Sequence, residues 1–214
     1  DVEEFIKRLE AGEKDFSGVN LAEEFLAGLE LDGINLSRAC LRETDLSSAE
    51  LNGADLTEAD LENAFLEGAQ FREANLKRAN FKNAYMADVD IDGANLSYAN
   101  LSGVRMNQVS LADICLIGVN LSYANLFQCG FYNSDLTGAD LTEAILESTS
   151  FTNANLTNAN LKGAKGTEED NEPTPVNLDD AIFHNTILPN GSICNNGCTQ
   201  NSILETYYKS FLKD

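Results

Sequence analysis

Ala49-Glu50-Leu51-Asn52-Gly53, Ala54-Asp55-Leu56-Thr57-Glu58 and Ala59-Asp60-Leu61-Glu62-Asn63 are three successive blocks of one pattern: small, polar, large apolar, then two further positions that are mostly polar. Outward from these blocks the central apolar position recurs every five residues from Phe16 to Leu161 without a miss, thirty times, as Leu, Phe, Met or Ile. Two residues before each centre the chain is small or β-branched almost throughout, as at Ala39, Thr44, Val89, Val109, Ile114, Cys129, Ser134 and Thr149. A period of five fits neither the helical repeat of about 3.6 nor simple strand alternation. It fits a chain that turns a corner every five residues. The predicted fold is therefore an all-β solenoid, whose units bury their apolar faces only by stacking. Ten of the fifteen glycines, Gly53 and Gly103 among them, fall two residues after a centre, where a tight corner gains from the missing Cβ.

With these blocks the chain resembles the pentapeptide repeat family, whose motif is Ala-(Asp/Asn)-Leu-X-X, over about four-fifths of its length. The resemblance implies a right-handed quadrilateral β-helix with four pentapeptides per coil. Each centre then stacks on the residue twenty places later. The run amounts to seven and a half coils, about eight with the last repeats, and at a spacing of about 4.8 Å the run alone makes a rod roughly 35 Å long. Phe71, Phe131, Met86 and Met106 read as core filling that adjusts coil width locally.

Open coil ends invite polymerisation unless covered. Val2, Phe5, Ile6 and Leu9 have the spacing of an amphipathic helix ending at Gly12, and Ile203, Leu204, Tyr207, Tyr208, Phe211 and Leu212 form a second apolar stripe, opened by Ser202 with Glu205 at capping-box spacing. Each helix is expected to cap an end; a helix that binds a partner or makes a dimer is the rival reading. Between them the clock fails over an acidic, Pro-containing stretch and restarts at Val176-Asn177-Leu178, Ala181-Ile182-Phe183 and Thr186-Ile187-Leu188, which implies twelve extra residues bulging from a corner. The expected organisation is a capping helix over 1–13, repeats over 14–164, an acidic insertion over 165–175, final repeats over 176–193, and a Cys loop with a helix over 194–214. Glu24 occupies a small-residue slot, so distortion of the first coil is expected there.

Thirty-five acidic against fourteen basic residues give a net charge of −21, which disfavours direct binding to nucleic acid or to an anionic membrane. No apolar run reaches the roughly 20 residues that span a bilayer. The chain opens on Asp1 rather than Met, as it would after removal of a targeting segment. Of five cysteines only Cys194 and Cys198 look like a pair, with Asn195-Asn196-Gly197 between them allowing a tight loop. Oxidised, they imply a periplasm or thylakoid lumen; reduced, the cytoplasm; zinc is a weak third option, since His184 is the sole histidine. Cys129 falls in an inward slot. No cofactor, metal or catalytic constellation is expected, and the protein reads as a non-enzyme.

Function is therefore sought on the surface. On the face of centres Leu51, Phe71, Ile91 and Leu111, here the fourth face, the acids Glu30, Asp32, Glu50, Glu73, Asp90, Asp92 and Asp113 stand against Arg72 alone. On the face of centres Leu66, Met86 and Met106, the third face, Phe25, Asp45, Phe65, Tyr85, Arg105, Asn125 and Ile145 form one outward row with Phe127 alongside. Exposed aromatics beside an arginine have the composition of a protein-binding patch, although rings that merely cover the sheet would look the same. Two classes follow: a protein-binding or scaffold solenoid of the kind common in cyanobacteria, with an unidentified protein partner; or, by resemblance to the quinolone-resistance members, an acidic DNA mimic that inhibits or protects a topoisomerase such as gyrase. A monomer is expected, with a dimer through a terminal helix as the alternative.

Overall fold

The computed structural model describes residues 2–166, 176–195 and 198–211, the side chains of 208–211 excepted. The acidic stretch from 167 to 175, Asn196-Gly197, and the side chains of Tyr208, Phe211 and Leu212 lie outside it.

The five-residue clock becomes a ladder counted in twenties. Nearly every residue before a centre bridges in parallel to the one twenty positions on, as in Asp15↔Asn35↔Asp55↔Asn75↔Asn95 and Phe25↔Asp45↔Phe65↔Tyr85↔Arg105. All thirty centres are buried, most at 0 % exposure, and the small residues two before them join the same core. Ala in that slot lets the backbones of successive coils approach within hydrogen-bonding distance. Where the slot is polar, its hydroxyl or thiol is satisfied by a carbonyl of the coil before: Thr44 Oγ1 donates to Leu21 O at 2.8 Å, Thr149 Oγ1 to Leu126 O at 2.8 Å, and Cys129 Sγ to Met106 O at 3.1 Å. Asp and Asn before the centre fold the corner, since their Oδ1 accepts the N–H two residues on, as from Ser47 to Asp45 and Thr57 to Asp55 at 2.9 Å each. Corners do not depend on glycine. Glu23, Arg38, Tyr98, Tyr123 and others take left-handed φ of 52–63° there, held by N–H bonds to the next coil such as Tyr123 N to Thr142 O at 2.8 Å.

Both ends carry helices. Helix α1 (Val2–Glu10) buries Phe5, whose ring meets Phe16 edge-on at 4.7 Å. It closes with Gly12 N to Leu9 O at 2.9 Å and Glu13 N to Arg8 O at 3.1 Å, with Gly12 left-handed at φ 85°, the double bond of a Schellman ending. Helix α2 (Gln200–Phe211) starts earlier than expected. Its cap is Thr199, whose Oγ1 accepts from Ser202 N at 3.2 Å; Ser202 is already inside the first turn. Ile203 and Tyr207 join the core.

The insertion is seven residues, not twelve. After it the ladder resumes as Ser150↔Asn177, Asn155↔Ile182 and Asn160↔Ile187, offsets of twenty-seven instead of twenty. Gly166 accounts for the difference, because Ile145↔Lys165 and the bond from Leu146 N to Lys165 O keep one more block in register. Leu178 and Leu188 are buried and Phe183 is half-buried. The chain then turns back as an antiparallel pair, β1 (Thr186–Ile187) with β2 (Ile193–Cys194).

Glu24 does not distort its coil. Phe25↔Asp45 bridges normally, and Asp45 N bonds Glu24 O at 3.0 Å. The distortion lies elsewhere. Between residues 88–93 and 107–115 the donors Asp88, Ile91 and Gly93 make no rung to the next coil, Ser110 and Cys115 make none back, and the Asp90↔Ser110 bridge is missing. One coil earlier the equivalent rungs, Gly68 N to Ala87 O, Phe71 N to Asp90 O and Glu73 N to Asp92 O, are all present at 2.6–3.0 Å. The cause is in the small slot. Buried Val89 and Val109, both β-branched, occupy that slot twenty positions apart, where the tightly paired coils before them have Ala49 and Ala69.

Candidate functional site

The aromatic row is assembled as a row. Phe65, Tyr85 and Arg105 are ladder neighbours, with Asn125 and Ile145 next. Phe65 is 54 % exposed, Tyr85 half-buried and Arg105 exposed, so the rings only partly cover the sheet. They border an open groove of about 630 Å³ whose other walls are Asn63 and Asn83 at one corner and Ser47 and Glu67 at the other. Gly103 shapes its edge: a Cβ there would overlap Asn83 Oδ1, so the asparagine lies across the glycine. Phe127 is half-buried on the same face, outside the groove. Phe25, 74 % exposed, is separated from Phe65 by Asp45.

Three exposed tyrosines escaped the sequence reading. Tyr98 and Tyr123, 55 % and 67 % exposed, occupy left-handed corner positions, and Tyr132 is 47 % exposed. Glycine is the signal that could have found two of them: the Tyr98 ring lies 2.7 Å from where a Cβ of Gly118 would stand, and the Tyr132 ring overlaps the place of a Cβ on Gly130. Tyr123 follows Gly103 in the corner column, one coil beyond the groove.

Electrostatics single out one residue in the groove. Among the described residues, five of the six arginines pair with carboxylates. Arg8 pairs with Glu13, Arg38 with Glu58 at 3.2 Å, Arg42 with Asp60 and Glu62 at 3.2 and 2.6 Å, Arg72 with Asp90 at 2.5 Å and Arg78 with Glu58 at 3.8 Å. Hydrogen bonds to Asp60 and then Glu62 raise the Arg42 guanidinium further above its ordinary value. Among the described residues Arg105 has no such partner.

The acidic face is less free than its composition suggests. Glu30↔Glu50↔Gln70↔Asp90 form one ladder, but Asp90 is engaged by Arg72, and Asp32 Oδ1 accepts from Asn52 N at 2.8 Å. Asp92 is exposed beside the broken rungs, where an opening of about 350 Å³ is flanked by Asp88 and Asp90 on one coil and by Gln108 and Ser110 on the next. Among the described residues, no group of three or more His, Cys, Asp or Glu could hold a metal. Cys194 and Cys198 are joined as a disulfide with Cα atoms 5.9 Å apart, while Cys40, Cys115 and Cys129 are free. Burial pushes the Cys129 thiol up to about 12, so it stays protonated and inert at neutral pH. No helix of the described residues is long and apolar enough to cross a membrane.

Comparison with known proteins agrees with this geometry. The profile described as "Pentapeptide repeats" matches in eight copies, over residues 15–131 in overlapping segments and 134–165. No curated protein matches the sequence. Among solved structures, HetL, a pentapeptide repeat protein involved in heterocyst differentiation regulation in the cyanobacterium Nostoc sp. strain PCC 7120, is 29 % identical with a TM-score of 0.57, covering 91 % of this chain and 99 % of HetL. A trypsin-treated variant of QnrB1, a plasmid-mediated fluoroquinolone resistance protein, is 22 % identical with a TM-score of 0.41, covering 81 % of this chain and 88 % of that one. The Nostoc PCC 7120 pentapeptide repeat protein alr5209 is 30 % identical with a TM-score of 0.21, covering 49 % and 79 %. With its repeats matched over most of its length and its centres laddered in twenties, the chain belongs to the pentapeptide repeat family.

Proposed function

We propose that this chain is a non-enzymatic protein-binding scaffold: a right-handed quadrilateral β-helix of about eight coils, closed at both ends by helices, that docks a partner protein on its third face. The observation that carries this reading is the row of Phe65, Tyr85 and Arg105 along an open groove, in positions where the repeat more often places Asp or Asn. Partly exposed rings retain apolar surface that a partner can bury, at roughly 25 cal/mol per Å². A rigid ladder beneath them keeps the ordering cost of binding low.

The disulfide between Cys194 and Cys198 supports placing the protein in an oxidising compartment such as a periplasm or thylakoid lumen. The DNA-mimic reading stands behind the scaffold reading, because two carboxylates of the acidic face are engaged within the rod, Asp90 by Arg72 and Asp32 by the Asn52 N–H, which interrupts a phosphate-like row.

Affinity capture from the source cell with the wild-type protein and with the Phe65→Ala/Tyr85→Ala double variant tests the proposal. Both side chains lie on the outer surface, so the variant is expected to keep its circular dichroism and lose the captured partner. A partner held equally by both proteins would place the docking surface elsewhere.

A further inference from the structure

Among the described residues, every arginine except Arg105 lies within ion-pair distance of a carboxylate of the same chain. Arg105 is exposed in the groove, one ladder step from Tyr85 and two from Phe65. An arginine without a carboxylate among the described residues is complementary to a carboxylate from outside, and its planar fork suits a bidentate one. The neighbouring rings supply the apolar surface that desolvates such a pair and strengthens it. Glu67 lines the opposite end of the groove, two coils before Arg105, and the amides of Asn63 and Asn83 border its side. The site is thus cationic at one end and anionic at the other. That polarity lets a bound segment lie in one direction only.

From these residues we infer that the groove recognises a polypeptide segment in which an Asp or Glu side chain neighbours large apolar residues, with the carboxylate on Arg105 and the apolar side chains on Tyr85 and Phe65. This rests on the third face being the docking face. Side chains two apart on an extended segment stand about 6.6 Å apart, which the long arginine stem can bridge from a ring one ladder step away, about 4.8 Å. Met86 and Met106 lie under Tyr85 and Arg105, a soft support that can adjust to the bound segment.

The probes are Ac-Leu-Phe-Glu-Leu-NH2, its Gln counterpart, and Ac-Leu-Phe-OH, which carries only a C-terminal carboxylate. Each is titrated into the full chain to about 5 mM, a range that captures weak fragment-like affinity, and followed by backbone amide shifts. The Glu peptide is expected to shift the amides of Phe65, Tyr85 and Arg105 saturably and to bind roughly fivefold tighter than the Gln peptide, the scale of one exposed charge-assisted contact. Arg105→Gln should remove that difference, and Tyr85→Ala should weaken both peptides. Equal affinity of Glu and Gln peptides at the groove would overturn carboxylate recognition while leaving third-face docking intact. Binding of Ac-Leu-Phe-OH alone would overturn the choice of an internal acid. Shifts centred elsewhere, or none, would overturn both this inference and the docking face on which it rests.

Discussion

Two neighbouring parts of the rod have the same sequence rule and different ladders. From Leu46 to Tyr85, Ala occupies every small slot, and every corner and rung is bonded to the next coil. From Ala87 to Cys115, Val89 meets Val109 and five rungs are lost, although the centres Ile91, Met106 and Leu111 remain fully buried. The core filling survives where the backbone pairing does not. In this fold, then, burial is set by the centre and coil-to-coil approach by the residue two before it, and the two can fail separately. Tyr85 and Arg105, with the groove beside them, lie on the two coils that the broken seam separates.

The comparison breaks most visibly in the core. Leu61→Ala in the tight region should cost about 3–5 kcal/mol, because its closely bonded surroundings cannot collapse into the cavity. Ile91→Ala, equally buried but beside the open seam, should cost at least about 1 kcal/mol less. Denaturant melts of the two variants check this, and equal losses would mean that the missing rungs leave the seam no freer to relax.

Hydrogen exchange resolves the same contrast amide by amide. Phe71 and Glu73, bonded to Asp90 and Asp92, should exchange roughly a hundredfold more slowly than Ile91 and Gly93 one coil on, a gap of about 2–3 kcal/mol in local opening. Uniform protection across both coils would mean that the seam is bonded in solution. The smallest effect comes from repair. Val109→Ala should restore the stack and slow exchange at Ile91 and Ser110 by about tenfold, while overall stability moves by less than about 1 kcal/mol, since the lost methyls offset the regained rungs. No change in exchange would separate the gap from its β-branched slot.

Most of this molecule is legible in its sequence because one rule is repeated thirty times. The centres follow from the clock, the twenty-residue ladder from the family that the clock resembles, and the terminal helices from amphipathic spacing outside it. The seam is written in the sequence too, but only as a coincidence between residues twenty apart: Val104 and Val119 each stack between alanines and leave their rungs intact, whereas Val89 and Val109 stack on each other. Single-residue reading points instead to Glu24, where the carboxylate is only half-buried and its coil pairs normally. Counting by apolar centres makes the insertion twelve residues long, because Gly166 supplies no such centre yet keeps the backbone register. Spacing alone puts the α2 cap at Ser202, while Thr199, three residues earlier, reaches the free N–H first. In the candidate site, Phe65, Tyr85 and Arg105 are visible as departures from Asp and Asn. The isolation of Arg105 is not, since it depends on where five other arginines find their carboxylates.

The resumed ladder after Gly166 has a practical meaning. Pairing here is counted in coils, not in residues, so the junction between Gly166 and Val176 acts as a splice port: seven extra residues are taken up there and the rungs resume behind them. A rod built this way can acquire new cargo while its structural frame stays as it was, which makes that junction the natural place to graft a foreign loop.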